Sequence, residues 1–190
     1  MFGGLARHET ITYEAMMTVV CHEVGHHLGG APKYYGNNWA SNEGQADYYG
    51  SLKCMRKVFT AEENLEWAKT AEIDPVALDQ CEANFKTDAD VAICARSAMA
   101  GRSLSRLFRA LRKEEREPKF DEPDANKVSR TSDRHPGTQC RMDTYFQGAL
   151  CGVSSDVDVD TDDANIGTCN RAEGYTHGLR SLCWFKPKTN

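Results

Sequence analysis

The chain has 190 residues, a formal net charge of −5 at pH 7 and an ordinary apolar content of 40%. A chain of this length is most simply one domain, and its mild acidity argues against nucleic acid as a partner. It contains no run of 18 apolar residues that would predict a transmembrane segment, and its first residues do not resemble a signal peptide.

The first long helix is predicted over about residues 13–28, with Thr12 as its N-cap and Gly29-Gly30 at its end. It carries His22 and His26, four residues apart, so both imidazoles lie on one helix face and can reach one metal ion. Glu23 follows the first histidine and can take a proton from a water molecule at that ion. This is the helix-borne signature of zinc metallopeptidases.

A second helix is predicted over about residues 41–58, and it supplies a candidate third ligand. Catalytic zinc has three protein ligands and one open position. A histidine six residues after His26 is one way to complete such a set, but Pro32 stands there. Glu43 is therefore the predicted third ligand. One turn later Asp47 can accept the outer N–H of a ligand histidine, and Asn42 can orient the other one.

The remaining segments are predicted to be mostly helical. Helices are expected after a capping box at Thr60 and Glu63, after Asp74-Pro75, and from a cap at Asp88 towards Glu115. We divide the single domain into residues 1–58 (zinc-site core), 59–116 (helical), 117–134 (mobile loop) and 135–190. The last part comprises a short helix after His135-Pro136, ending near Cys151, and a cysteine-rich tail.

Together these residues resemble the gluzincin zinc metallopeptidases. Residues 43–47 are similar to the Glu-x-x-Ala-Asp element of the CAAX-prenyl-endopeptidase and heat-shock membrane-peptidase family and its soluble minimal relatives. His135-Pro136, followed after four residues by Arg141, is similar to that family's His-Pro-x4-Arg element. The resemblance covers roughly residues 13–58 and 132–150. It implies that His135 and Arg141 help to stabilise the tetrahedral intermediate.

The resemblance also implies an edge strand, since related peptidases pair an extended substrate with one. Residues 1–6 are the candidate remnant of that strand. Two alternatives stay open for the other family elements. A His-Pro pair that opens a helix is often only a turn, and Arg141 could equally be a structural ion-pair partner.

The eight cysteines are dispersed and include no Cys-x2-Cys pair, which favours disulfides formed in an oxidising compartment over a structural zinc site. Eight reduced, buried thiols are the alternative. Cys81 and Cys94 lie at similar distances from a predicted turn, so we expect them to pair across a helical hairpin. Cys169 with Cys183 is a second proposed pair. With disulfides and no leader, we expect this sequence to be a mature or trimmed form.

The acidic stretch Asp156–Asp163 has the composition of a calcium loop. Its spacing fails the EF-hand template, because the glycine position is Asp163 and the final glutamate position is Cys169. A solvated acidic loop is therefore favoured over a Ca²⁺ site.

The sequence thus predicts a mainly α fold with an α+β remnant, a zincin-like catalytic domain stapled by disulfides. The predicted function is that of a secreted or periplasmic zinc-dependent metalloendopeptidase acting on peptide or protein substrates. Two alternatives are an inactive zinc-binding scaffold or interaction domain, and a metal-dependent amidase acting on cell-wall peptides. The oligomeric state is not predicted.

Overall fold

The computed structural model describes residues 3–36 and 39–187, and this part of the chain is mainly helical. The α-helices are α1 (Gly3–Ala6), α2 (Tyr13–Leu28), α3 (Glu43–Tyr49), α4 (Met55–Val58), α5 (Ala61–Ala68), α6 (Pro75–Asn84), α7 (Asp88–Arg112) and α8 (Thr138–Leu150). A π-helical segment, Gly50–Cys54, joins α3 to α4, and Arg171–Glu173 is a 3-10 turn. Among the described residues, β-structure is limited to one isolated antiparallel bridge between Lys33 and Ser41, and no helix is long and apolar enough to span a membrane.

Several predicted helix starts are confirmed. The Thr12 side chain accepts the Ala15 N–H at the start of α2, and Thr60 and Glu63 form the reciprocal capping box of α5. The long helix α7 differs at both ends from its prediction. Thr87, rather than Asp88, is its N-cap, because the Thr87 hydroxyl accepts a backbone N–H of the first turn. The helix ends at Arg112, before Glu115, where Lys113 adopts a left-handed conformation.

Two predicted elements are corrected. The edge strand was expected at residues 1–6. Residues 3–6 form a helical turn instead, residues 1–2 lie outside the described part of the chain, and the described residues provide no strand with which an edge strand could pair. The helix predicted over residues 41–58 is divided by the π-helical segment Gly50–Cys54. Residues 117–134, predicted as a loop, contain no helix or strand. They are tied to the helices at several points, for example through Glu117, which accepts hydrogen bonds from two arginines of α7.

The core lies between α7 and its neighbours α2, α5, α6 and α8. Small side chains of α7, including Ala95 and Ala98, pack with Met142 and Phe146 of α8. Gly101 allows the two helices to approach closely, because a Cβ atom there would lie 2.5 Å from Cβ of Tyr145. Helix α8, packed closely against α7, also contacts α3, and through α3 it reaches the candidate site.

The structure contains four disulfides, which pair all eight cysteines: Cys21–Cys54, Cys81–Cys94, Cys140–Cys183 and Cys151–Cys169. The predicted Cys81–Cys94 bridge is confirmed, and it links α6 to α7. The predicted Cys169–Cys183 bridge is wrong. The chain after α8 folds back so that Cys169 meets the end of that helix and Cys183 meets its first turn. Four disulfides indicate an oxidising compartment.

Asp143 of α8 is a buried carboxyl that accepts hydrogen bonds from the Asp124 backbone N–H and the Gln139 side-chain amide. Burial raises the pKa of Asp143 to about 6, although these hydrogen bonds oppose the shift. The unfolded value is about 3.9. The folded protein therefore binds this proton more tightly than the unfolded chain. The resulting stabilisation is complete below the unfolded pKa and is lost as the pH rises through the folded pKa.

We predict that the unfolding free energy of Asp143→Asn rises relative to that of the parent protein between pH 4 and pH 7. The gain should not exceed about 3 kcal/mol, since each pKa unit corresponds to about 1.4 kcal/mol. Urea unfolding at several pH values measures it. Asp121→Asn, which alters an exposed carboxyl nearby, is the control, and its unfolding free energy relative to the parent should change little with pH. If the difference in unfolding free energy between Asp143→Asn and the parent were constant across this range, the raised pKa of Asp143 would be contradicted.

Candidate metal centre

The predicted ligands His22, His26 and Glu43 converge where α2 packs against the start of α3. The two histidine Nε2 atoms lie 3.1 Å apart, and Oε2 of Glu43 lies 3.3 Å and 3.8 Å from them. All three potential ligand atoms lie within 4.8 Å of one another. Gly25 permits this approach, because a Cβ atom at that position would lie 2.7 Å from the Ala46 carbonyl oxygen.

The outer nitrogen of each histidine faces a hydrogen-bond acceptor. Nδ1 of His22 lies 2.7 Å from Oδ1 of Asp47, and Nδ1 of His26 lies 2.8 Å from the Ser41 carbonyl oxygen. We therefore assign the Nδ1–H tautomer to both neutral rings. Each inner Nε2 atom then presents a lone pair to the other histidine and to Glu43.

Oε2 of Glu43 is a buried oxygen without a hydrogen-bond partner among the described residues. A buried acceptor in this state is costly, and the inner nitrogen atoms of the two imidazoles lie beside it. A cation bound by the three atoms would satisfy the oxygen. Two imidazoles and one carboxylate also form a common ligand set for divalent transition metals. The residues present therefore fit a metal ion.

The charges of the site favour a cation at its inner atoms. Burial lowers the pKa of His22, but Asp47 outweighs this effect and raises it to about 9. Burial likewise opposes the ionised form of Glu43, yet the nearby His22 ring and the hydrogen bond from the Tyr34 hydroxyl bring the pKa of Glu43 to about 2. Because a metal ion competes with the proton on His22, its binding should weaken at low pH.

Asp47 is fully buried and connects the histidine site to α8. Besides His22 it accepts hydrogen bonds from Nε and Nη2 of Arg141, at 2.8 Å and 2.6 Å, and from the Tyr145 hydroxyl at 2.6 Å. Burial alone would raise the pKa of Asp47, but Arg141 and His22 hold it well below its ordinary value. The predicted placement of Asp47 against a ligand histidine agrees with this geometry.

The structure corrects the expected position of Arg141. Its side chain is 6% exposed, its charge is paired with Asp47, and its guanidinium carbon lies 4.2 Å from the ring centroid of Phe108. Arg141 therefore lies behind Asp47 and reaches the ligands only through that carboxylate. This geometry is that of the structural ion pair, the alternative that the sequence left open.

Asn42 also differs from its predicted role. Its side-chain oxygen accepts the Gln45 N–H and caps α3, while its amide lies 3.3 Å from the Ser132 carbonyl oxygen. The side chain is thus committed to the helix cap and to the segment that precedes His135. The Ser41 carbonyl orients His26 instead.

Glu23 and His135 are both exposed to solvent. Glu23 directly follows His22 in α2, and its side chain forms no hydrogen bond or ion pair with other described residues. The His135 side chain is 59% exposed, and its Nε2 atom lies 3.0 Å from Oε2 of Glu43. Both side chains can therefore meet a molecule that approaches from solvent.

Tyr34 is the residue of the site that sequence reasoning missed. Its hydroxyl donates to Oε1 of Glu43 at 2.5 Å, and its ring stacks on that of His26 with centroids 6.0 Å apart. It orients the oxygen of Glu43 that does not face the histidines. The loop before Asn42 has no periodic pattern, so the sequence carries no signal for this contact. The sequence does carry a signal for the contact between Tyr145 and Asp47, because Tyr145 lies one helical turn after Arg141.

The described residues contain one further group of metal-type side chains, Asp124 with Cys140 and Cys183. The two sulfur atoms form a disulfide and cannot act as thiolate ligands. The acidic stretch Asp156–Asp163 forms no such group, and one oxygen of Asp160 instead accepts two backbone N–H groups of its own loop. The calcium hypothesis receives no support from this geometry.

Comparison with known proteins does not assign the chain to a class. No family model matches the sequence, and neither a curated protein nor a solved structure matches it. The site must therefore be interpreted from its own geometry.

We predict that Arg141→Met lowers the unfolding free energy by about 3–5 kcal/mol, because it leaves the buried Asp47 carboxylate without its ion-pair partner. Thermal and urea unfolding of the purified variant measure the loss. Arg116→Met, which breaks an exposed ion pair with Glu122, is the matched control and should cost less than about 1 kcal/mol. Similar small losses in both variants would refute the structural role of Arg141.

Proposed function

We propose that this protein is a zinc-dependent metallopeptidase of the gluzincin type that hydrolyses peptide bonds. The observation that carries the proposal is the convergence of three potential metal-ligand atoms, from His22, His26 and Glu43, within 4.8 Å of one another. The motif that contains these residues supports it, since Glu23 lies beside the first histidine as in other helix-borne zinc peptidase sites.

Each residue has a distinct role in this proposal. His22, His26 and Glu43 would hold zinc, which when bound polarises the substrate carbonyl and lowers the pKa of a water molecule. Glu23 accepts the proton of the attacking water and delivers it to the leaving amine. His135 donates a hydrogen bond to the carbonyl oxygen as negative charge develops there, a contribution of about 3 kcal/mol for one such donor.

The buried Asp47 supports this chemistry without contacting the substrate. It keeps Nδ1 of His22 protonated, so that Nε2 is available to the metal, and Arg141 and Tyr145 hold Asp47 in place. The four disulfides suit an oxidising compartment, and we propose that the protein is exported there to act on peptides or proteins.

One observation favours a second candidate, a zinc-binding scaffold without turnover. Within the described residues, β-structure is limited to the single bridge between Lys33 and Ser41. The candidate edge strand comprised residues 1–6, and its described part, residues 3–6, is helical. A peptide substrate therefore has little backbone with which to pair. Both candidates require the metal ligands, but only the peptidase requires Glu23 as a proton acceptor.

We predict that the purified protein contains about one zinc ion per chain. Glu43→Ala should lose the zinc, because it removes one of three ligands. Glu23→Gln should retain zinc but lower peptide cleavage by about a hundredfold or more, since it removes the general base. Elemental analysis and hydrolysis of a casein-derived peptide mixture measure the two effects. Glu62→Gln, an exposed position on α5, is the control and should change neither.

The outcomes separate the candidates. A folded parent protein that takes up no zinc, even after reconstitution, would overturn both. Zinc that depends on Glu43 without any peptide cleavage would favour the scaffold. Cleavage by Glu23→Gln at the parent rate would disprove the role of Glu23.

A further inference from the structure

A cavity of about 950 Å³ lies beside the candidate metal centre. Tyr34 belongs to both, because it lines the cavity and its hydroxyl donates to Glu43. Thr131 lines the cavity as well, and the chain continues from it to His135, whose ring lies against Glu43. Two chain segments thus connect the cavity to the residues that would act on a substrate.

A buried arginine, Arg180, lies in the wall of this cavity and is only 3% exposed. Its three nitrogen atoms donate to neutral oxygens: Nε to the side chain of Gln45, Nη1 to Thr168, and Nη2 to the Ala31 carbonyl. The guanidinium has five N–H groups. One N–H on each terminal nitrogen is therefore left without an acceptor among the described residues.

The charge of Arg180 is not neutralised by an ion pair within the described residues. Burial lowers the pKa of Arg180 to about 10, although Tyr48 and Asp163 partly oppose the shift. The rings of Tyr48 and Phe185, each with its centroid 5.0 Å from the guanidinium carbon, supply only partial compensation. A buried cation without an anionic partner is unfavourable, and an anion in the cavity would relieve this cost.

With Arg180 included, basic side chains outnumber acidic ones in the lining of the cavity. Four basic and two acidic side chains line it: Lys33, Arg171, Arg180 and Lys186, and Asp162 and Asp163. Arg171 and Lys186 are exposed at the rim and form no ion pair with other described residues. Their positive charges would attract an anionic group towards Arg180.

We propose that this cavity is a subsite that receives a carboxylate of the peptide substrate and that Arg180, with Arg171 and Lys186, selects for it. Arginine suits this role because its terminal N–H groups can bind both oxygens of a carboxylate. The inference rests on the proposed peptidase function. The carboxylate has two possible sources, an acidic side chain near the scissile bond or the C-terminus of a short peptide, and both present the same chemistry.

Calorimetric binding of short peptides to the full-length Glu23→Gln protein tests the subsite without relying on turnover. The first pair of probes is acetyl-Ala-Ala-Glu-Ala-Ala-amide and its glutamine counterpart. The second pair is acetylated penta-alanine with a free or an amidated C-terminus. We expect the carboxylate-bearing member of at least one pair to bind about tenfold more tightly, as one charged hydrogen-bonded contact predicts. The pair that shows the preference identifies the source.

Variants built on the Glu23→Gln background locate the preference. Combined Arg171→Gln and Lys186→Gln substitutions, both at exposed positions, should reduce it to about threefold or less. Arg180→Gln should abolish it, and circular dichroism establishes whether that variant folds. Lys113→Gln removes one exposed positive charge at the end of α7 and should leave the preference unchanged.

Equal binding within both peptide pairs would overturn the subsite. It would also be overturned if the full preference for the carboxylate survived in the variant with both Arg171→Gln and Lys186→Gln, or if Lys113→Gln lost the preference to the same extent as that variant. Failure of the proposed function has a different signature. If the zinc-loaded parent cleaves none of the peptides but the carboxylate preference depends on Arg171 and Lys186, the cavity is a carboxylate site on a protein without peptidase activity.

Discussion

The candidate site depends on the hydrogen bonds that the buried carboxylate of Asp47 accepts. It joins His22 of α2 to Arg141 and Tyr145 of α8, while Asp47 itself belongs to α3. Three helices thus meet at one ionised group that has no exposure to solvent. Such a charge is tolerated only when it is paired and hydrogen-bonded. The packing of the three helices around Asp47 therefore requires its hydrogen bonds with His22, Arg141 and Tyr145. The orientation of His22 follows directly from this requirement.

The second constraint is the distance between α2 and α3. Gly25 lies against the backbone of Ala46 with no space for a Cβ atom, which brings the histidines of one helix to the glutamate of the other. The Cys21–Cys54 disulfide fastens α2 near its ligand residues to the end of the π-helical segment that follows α3. Close packing and covalent linkage therefore hold the three potential ligands near one another. Such preorganisation would reduce the ordering that the binding of a metal ion requires.

The local chemistry of the sequence predicted much of the fold and part of the site. Thr12, the Thr60–Glu63 pair and Asp74-Pro75 mark helix starts because capping depends on residues only a few positions apart. The four-residue spacing of His22 and His26 likewise places both on one face. Predictions failed where they required partners distant in the chain. The edge strand was predicted at residues 1–6, whose described part is helical and has no described strand to pair with. Cys183 pairs with Cys140 rather than with Cys169 because the tail folds back onto α8.

By itself, the sequence determined the helical character of the chain and the face of α2 that carries both His22 and His26, and it singled out Glu43 as the candidate third ligand, since each depends on helical periodicity or on ligand chemistry. Only the tertiary structure decided that Arg141 lies behind Asp47, that Ser41 rather than Asn42 orients His26, and that Tyr34 holds Glu43. It also placed the uncompensated charge of Arg180 beside this site. The reason is physical: these contacts join segments far apart in the chain, and the packing of whole helices, rather than local spacing, sets which polar groups meet.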